Sequence, residues 1–380
     1  MQTTYGRRIW KLTKPWNSSS TDPVPGRIRW EFPHLVRFKG AWYCVFRESP
    51  IHMNHESLAR IIRSADGVTW EEAAVLGWDC GDMGMPRFSI TPEGNLMLNT
   101  TVFFVSKEPR ADGDRYQLDK PPEGWSNWTP ASDRERDVAC QTLTWFTVDG
   151  RRWDGPYACP ASANTQRCDV AWHKGMGYGV GYGGKDVAGA LYRSRDGKNW
   201  RVLKARFFPD PPQDCNEVDM AFEPDDTAVC LVRAGTGTYA WIGRGKPPYY
   251  QEWEWRVPAV DWDGDGRTRP IREVLRAHMG GPDIIRLRDG RLVAAARMLG
   301  PAHPGGTVPP DRVDPDDPEG REDGRVTLFL VDSKNSVLTM FGEVDGTSYP
   351  GIVEHEGMIW TSYIGADRSG VFLAKVKVPG

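Results

Sequence analysis

The chain has 380 residues, with 48 basic and 51 acidic side chains, a net charge of −3, and 39% hydrophobic and 11% aromatic content. That balance excludes a non-specific nucleic-acid or membrane-surface binder, while leaving room for a local cationic pocket. The 41 Gly and 30 Pro suit a turn-rich β protein, and the 17 Trp supply large side chains for its packing.

The N-terminal MQTTYGRRIWKLT has no apolar signal core, and no run in the chain approaches the ~18 apolar residues of a membrane span. The sequence as given is therefore expected in the cytoplasm, or outside the cell if a leader has been removed. Within it, RRIWKLT (7–13) reads as a strand. A hairpin pattern follows at 32–48, FPHLVRFKGAWYCVFRE, and returns as MPRFSITPEGNLMLNTT (85–101) and CDVAWHKGMGYGVGYG (168–183). Further copies are NEVDMAFEPDDTAVCLVRAG (216–235), GPDIIRLRDGRLVAAARM (281–298) and YPGIVEHEGMIWTSYI (349–364). Each is a short apolar strand, a Gly- or Asp-centred turn and a second apolar strand. Six copies of one such unit are the signature of a radial β array.

Three further hairpins share a turn of the form [S/T]-x-D-G-x-x-W. They are Ser64 to Trp70, Thr147 to Trp153 and Ser194 to Trp200. Asp-Gly supplies the tight turn, the Asp and Ser/Thr side chains bond the turn backbone, and the Trp packs between sheets. This motif is structural and carries no catalysis. Four strands per unit and six units predict an all-β, six-bladed propeller of four-stranded antiparallel blades, forming one domain over 1–380. The blades are expected at 25–80, 81–160, 161–210, 211–275, 276–345 and 346–380 with 1–24, the N- and C-terminal strands (7–13 and 370–378) closing the ring. Three polar insertions, at 106–137, 243–270 and 300–325, read as functional rims or solvated loops.

The seven Cys are odd in number, form no CxxC pair and lie mostly in apolar runs, so they read as buried free thiols in a reducing compartment. Asp261 to Gly266 (DWDGDG) begins like a calcium loop, but Arg272 stands at the twelfth position where a Glu is required. A turn with solvated carboxylates is the expectation there. The Gly-rich 175–184 segment reads as a tightly packed strand rather than a nucleotide loop. No zinc spacing and no GxSxG elbow occurs, and no cofactor or metal is expected.

In a propeller, equivalent positions of the repeats converge on the axis. Alignment places Arg47, Arg233 and Arg297 in one column, at the end of the second strand. Glu217, Asp283 and Tyr349 start the first strand in units four to six, and His34, Arg87 and Asp169 take entry positions in units one to three. A guanidinium is seldom buried without an anionic partner, so three in one column read as a bidentate receptor for a carboxylate. The alternative is that each Arg pairs with its own acidic neighbour, such as Glu48, and ties blades together.

With these features the chain resembles the sialidase (neuraminidase) superfamily of Asp-box, or BNR-repeat, propellers, over essentially its whole length. The resemblance implies an Arg cluster on the sugar carboxylate and a Tyr nucleophile activated by a Glu. Asn216-Glu217 followed by Arg233 is similar to the family's Glu-to-Arg hairpin, Arg297 to the Arg of the next blade, and Ser348-Tyr349 to the nucleophile segment. Tyr349 and Glu217 are thereby implied as catalytic, and Arg233 and Arg297 as substrate-binding; the alignment of the repeats adds Arg47, Asp283, His34, Arg87 and Asp169 as substrate-binding candidates. Departures are visible. Glu31-Phe32-Pro33 stands where the family has Arg-Ile-Pro, leaving Arg47 or Arg29 as substitutes. No Asp occupies the loop after Arg47, so His52, His55, Glu56 or Asp82 is left as proton donor. The implied activity is an exo-acting glycoside hydrolase on a carboxylated sugar, an α-sialoside above all. A uronate-directed lyase or other glycosidase, and a non-catalytic glycan-binding propeller, are the alternatives. The partner in each case is a glycan; the sequence does not fix the oligomeric state.

Overall fold

The computed structural model describes residues 4, 6–10, 29–49, 57–78, 81–103, 140–163, 165–183, 188–210, 215–235, 238–274, 279–298, 325–346, 349–365 and 370–380. They form strands and, among the described residues, one four-residue helix. The chain divides into two compact units, Leu12–Phe207 and Met1–Lys11 with Phe208–Gly380.

Strand β1 (Arg7–Trp10) opens the chain. The unit Leu12–Phe207 then builds three sheets. The first runs β2 (Arg29–Phe38), β3 (Ala41–Ser49), β4 (Leu58–Ser64), β5 (Glu71–Gly77), antiparallel throughout. In the second, β6 (Asp82–Met83) and β7 (Arg87–Ile90) both pair with β8 (Leu96–Phe103), followed by β9 (Cys140–Thr147) and β10 (Asp154–Ala163). The third runs β11 (Ala171–His173), β12 (Met176–Gly181), β13 (Ala190–Ser194), β14 (Arg201–Ala205).

The other unit holds a fourth sheet of β15 (Val218–Phe222), β16 (Ala228–Arg233), β17 (Ala240–Gly245) and β18 (Trp253–Arg256). Strands β19 (Ala259–Asp261) and β20 (Thr268–Pro270) and helix α1 (Ile271–Val274) follow. The fifth sheet contains β21 (Met279–Arg286), β22 (Leu292–Met298), β23 (Arg325–Asp332) and β24 (Val337–Val344), extended by β19 and β20. The sixth is β25 (Gly351–His355), β26 (Met358–Ile364) and β27 (Val371–Lys377), completed by β1 on β27. Six sheets, one per repeat, make this a six-bladed β-propeller. The second strand of each repeat is covered on both faces, which is why its sequence is a continuous apolar run: every residue of β3 is buried, whereas the fourth strand, β5, is mostly exposed.

Two expectations are corrected. Residues 243–270 are not a polar insertion. Trp253 and Trp255 lie against Gly245 and Gly243, whose missing side chains make room for the indoles, and so form β18. Strand β19 pairs parallel with β24 around the buried Val260, which moves residues 259–270 from the fourth blade to the fifth and gives that sheet six strands. The 106–137 insertion, and 300–325 apart from Arg325, lie outside the described residues. The Gly-rich segment is β12: a Cβ on Gly179 would come 2.9 Å from the Asp169 carbonyl oxygen. The six described cysteines are buried and free; Cys80 is outside the described residues. Asp261 is filled by its own loop, accepting the amides of Gly264, Asp265 and Gly266 at 2.8, 3.2 and 3.0 Å, so its carboxylate is buried, while those of Asp263 and Asp265 are exposed.

The three D-G turns are built alike. In the first, Asp66 Oδ1 accepts the amides of Val68 and Thr69, each at 2.8 Å, and the Ser64 hydroxyl, which itself accepts the Gly67 amide. Gly67, Gly150 and Gly197 take left-handed φ angles of 73°, 75° and 71°. Backbone amides hold the Asp66 and Asp149 carboxyls at about 2. Asp196 also falls to about 2: partial burial opposes the shift, and bonds from Asn199 and Lys198 outweigh it. A carboxyl lowered on folding stabilises above its unfolded value of 3.8 and loses that contribution as pH falls through 2. Urea midpoints are therefore expected to stay level from neutral pH to about 5 and to drop between about 4 and 2, with a shallower drop for Asp196→Asn. A fall of equal steepness in the variant would contradict this account.

Candidate active site

The end of the second strand is a demanding place for an arginine. The strand is apolar and covered on both faces, and a guanidinium there needs an anion. In the first sheet Arg47 faces Glu31 in the register of β2 and β3. It is 1% exposed, with Nη1 2.6 Å from Glu31 Oε2 and Nη2 on Asp82. In the fourth sheet Arg233 faces Glu217 in the same way, the Arg233 amide donating to the Glu217 carbonyl, and Arg233 Nη1 lies 2.5 Å from Glu217 Oε1. In the fifth sheet the residue facing Arg297 is Gly280. The repeat thus supplies an acid twice and a bare position once. Arg297 has no carboxylate within ion-pair distance among the described residues, and its Nε is buried without an acceptor.

Into the space left by glycine comes Tyr349. A Cβ on Gly280 would sit 2.9 Å from Tyr349 Cε1 and 3.0 Å from Arg297 Nη2, and one on Gly281 would overlap the Tyr349 ring. The Arg297 guanidinium carbon lies 4.7 Å from the ring centroid. Tyr349 Oη donates to Glu217 Oε1 at 2.6 Å and accepts from Arg233 Nη1 at 2.9 Å. The other oxygen of Glu217 accepts the Gly281 amide at 2.9 Å. Both Glu217 oxygens are therefore fixed, one by the phenol and a guanidinium, the other by backbone. Burial, followed by the charge of Glu217, pushes the Tyr349 phenol up to about 12, against the lowering effect of Arg297 and Arg233. The resting state is a protonated phenol aimed at a carboxylate. Chemically, this is a weak nucleophile with a base in contact and two cations beside it.

The structure thus brings together Tyr349, Glu217, Arg233 and Arg297, all in the unit Met1–Lys11 with Phe208–Gly380. Arg47 lies in the other unit, where its guanidinium is paired with Glu31 and Asp82 as an internal clamp. The acid it uses is not Glu48, which takes Arg60 and the Trp30 indole N–H. Asp82 is likewise occupied. His52, His55 and Glu56 lie outside the described residues, as does the side chain of Arg29.

The other substrate-binding candidates take part in one recurring contact. His34 Nδ1 accepts the amide of Phe88 at 3.1 Å. Asp219 Oδ2 accepts the amide of Ile284, and Asp283 Oδ2 that of Ile352, each at 2.8 Å. Each of these latches the first strand of one sheet to the first strand of the next. Arg87 and Asp169 make the same link with side chains, at 3.0 Å. Burial, then the charge of Arg87, lowers His34 well below the usual imidazole value, so it stays neutral and able to accept. Asp219 escaped the sequence reading, as did Gly280 and Gly281. Their signals were present: an acid at the latch position of the repeat, and a Gly-Gly-Pro run where other repeats carry side chains.

No family model matches the chain, and no curated protein sequence matches it. Solved structures share its fold. A protein of unknown function from Dyadobacter fermentans aligns with a TM-score of 0.65 at 16% identity, over 98% of this chain and 97% of that one. The Penicillium chrysogenum α-L-arabinanase aligns at 0.60 and 12% identity, over 99% of both chains. A Hadza microbial sialidase aligns at 0.60 and 14% identity, over 92% of this chain and 66% of that one. The chain is therefore similar in fold to six-bladed propellers that include glycoside hydrolases.

Two substitutions separate the roles of these residues. Gly281→Ala adds both a clash with Tyr349 and backbone strain at a φ of 47°, and is expected to cost about 2–4 kcal/mol in urea unfolding. Arg47→Met strands the buried Asp82 and is expected to cost about 3–5 kcal/mol. A near-neutral Arg47→Met would return Arg47 to the list of ligand contacts.

Proposed function

We propose that this chain is a glycoside hydrolase in which Tyr349 is the nucleophile and Glu217 its base. The observation that carries the reading is the 2.6 Å bond from Tyr349 Oη to Glu217 Oε1, with Arg233 bridging both. As the phenol oxygen attacks the anomeric carbon, its proton passes to Glu217 and the glycosidic bond breaks toward the leaving oxygen. Water then attacks the tyrosyl-sugar, giving its proton to the group that had protonated the leaving oxygen, and Glu217 returns its own proton to the departing phenol. Arg233 keeps the dyad aligned while charge moves between its members. A group that protonates the leaving oxygen is also required, and His52 and His55 are the nominees.

A carboxylated sugar of sialic-acid type suits this centre in two respects. A neutral phenol is not repelled by a substrate carboxylate, as a carboxylate nucleophile would be. Arg297, uncommitted beside Tyr349, is placed to accept that carboxylate bidentately. A second reading is favoured by Arg47: with that guanidinium locked in an internal clamp, a neutral pentose of arabinofuranose type fits a site with fewer free cations.

Aryl α-sialosides and aryl α-L-arabinofuranosides, assayed across pH, separate the two. Wild-type turnover of one substrate class is expected, with Tyr349→Phe and Glu217→Gln each lowering kcat/KM by about a thousandfold. For a carboxylated substrate, Arg297→Gln raises KM; for a neutral one it does not. Turnover of either class by Tyr349→Phe at the wild-type rate would sink the mechanism.

A further inference from the structure

The third sheet repeats the D-G turn of the first, but with a change of charge. In the first sheet the residue before the turn serine, Arg63, lies directly across from Glu71 and pairs with it at 3.2 Å. In the third sheet the equivalent Arg193 lies directly across from Arg201. The turn residue Ala65 of the first sheet is replaced by Arg195 in the third. Arg193, Arg195 and Arg201 are all exposed, and none has a carboxylate within ion-pair distance among the described residues. They line one groove of 420 Å³, with Met176 and Asn199. The single acid there, Asp196, is engaged by its own turn: Oδ1 takes the amides of Lys198 and Asn199 and the Ser194 hydroxyl, and Oδ2 takes Asn199 Nδ2.

Like charges directly opposite in an antiparallel pair repel, and the same fold position elsewhere in this chain carries the complementary pair. The third sheet has thus exchanged a stabilising contact for three guanidinium forks facing one space. Three arginines, rather than lysines, match the flat bidentate geometry of an oxyanion. We propose that this groove is a second, non-catalytic binding site for the sulfate ester or carboxylate groups of an acidic polysaccharide. A cluster this short matches one or two sugar-borne charges, whereas a nucleic acid needs a long basic track, which a chain of net charge −3 does not favour. The groove shares no residue with the Tyr349 centre, so its failure leaves the hydrolase reading untouched.

Calorimetric titration with chondroitin sulfate, polygalacturonate and neutral dextran tests this, using Tyr349→Phe protein to prevent turnover. Salt-sensitive binding of an acidic polymer is expected, with no heat from dextran; the preferred polymer tells sulfate from carboxylate. Arg201→Glu restores the charge pattern of the first sheet. It is expected to weaken binding by about tenfold or more while the thermal midpoint stays level or rises. Arg193→Gln with Arg201→Gln is expected to weaken binding likewise. Absence of binding by either acidic polymer, or unaltered binding by these variants, overturns the proposal. Duplex DNA binding as tightly, and through the same arginines, would also overturn it by transferring the groove to nucleic acid.

Discussion

A guanidinium at the end of a doubly covered strand must find an anion, and how each repeat meets that demand shapes the rest of the site. The first sheet answers with Glu31 and Asp82, and closes the question with a clamp. The fourth answers with Glu217 but leaves the pair partly open, Arg233 being 21% and Glu217 13% exposed. In the fifth the facing residue is a glycine. Gly280 leaves a slot, a tyrosine ring fills it, and Arg297 keeps its charge available. One register position has thus become a clamp, a dyad and an open cation.

Two rows of the repeat divide the labour. The latch row, His34, Asp219 and Asp283, holds first strand to first strand through backbone amides. The row two residues earlier holds Glu217, Gly281 and Tyr349. The latches tie neighbouring sheets together beside the Tyr349–Glu217 contact, Asp219 and Asp283 each standing two residues beyond Glu217 and Gly281. The dyad is rigid because its support is backbone: the Gly281 amide on Glu217 cannot rotate away.

The sequence made the ring of sheets legible because its signals are local and repeated. Six hairpins and three D-G turns need only neighbouring residues to be recognised, and β1 on β27 follows from two terminal strands. The contact among Glu217, Arg233 and Tyr349 was legible too, because the resemblance noted from the sequence placed these three residues in one site. What could not be read was the state of each charge. Arg47, Arg233 and Arg297 align in sequence, yet their difference lies in the facing strand, at Glu31, Glu217 and Gly280. Asp283 looked like a ligand contact because a polar residue at a strand start is ambiguous until its acceptor partner, the Ile352 amide, is located. Residues 243–270 looked like a loop because Gly243 and Gly245 weaken a strand pattern that Trp253 and Trp255 restore from the adjacent strand.

The sixth sheet is finished by residues from opposite ends of the chain, a four-residue strand β1 laid on β27, with the Gly6 amide on the Tyr363 hydroxyl. During synthesis, that first strand must wait for the last one to be made. Until then Arg7 to Trp10 has no partner, and afterwards β27 depends on it to cover its free hydrogen-bonding edge. Trimming a few residues from the front of β1 would thus expose a strand at the far end of the polypeptide, turning a small N-terminal deletion into an open template for self-association.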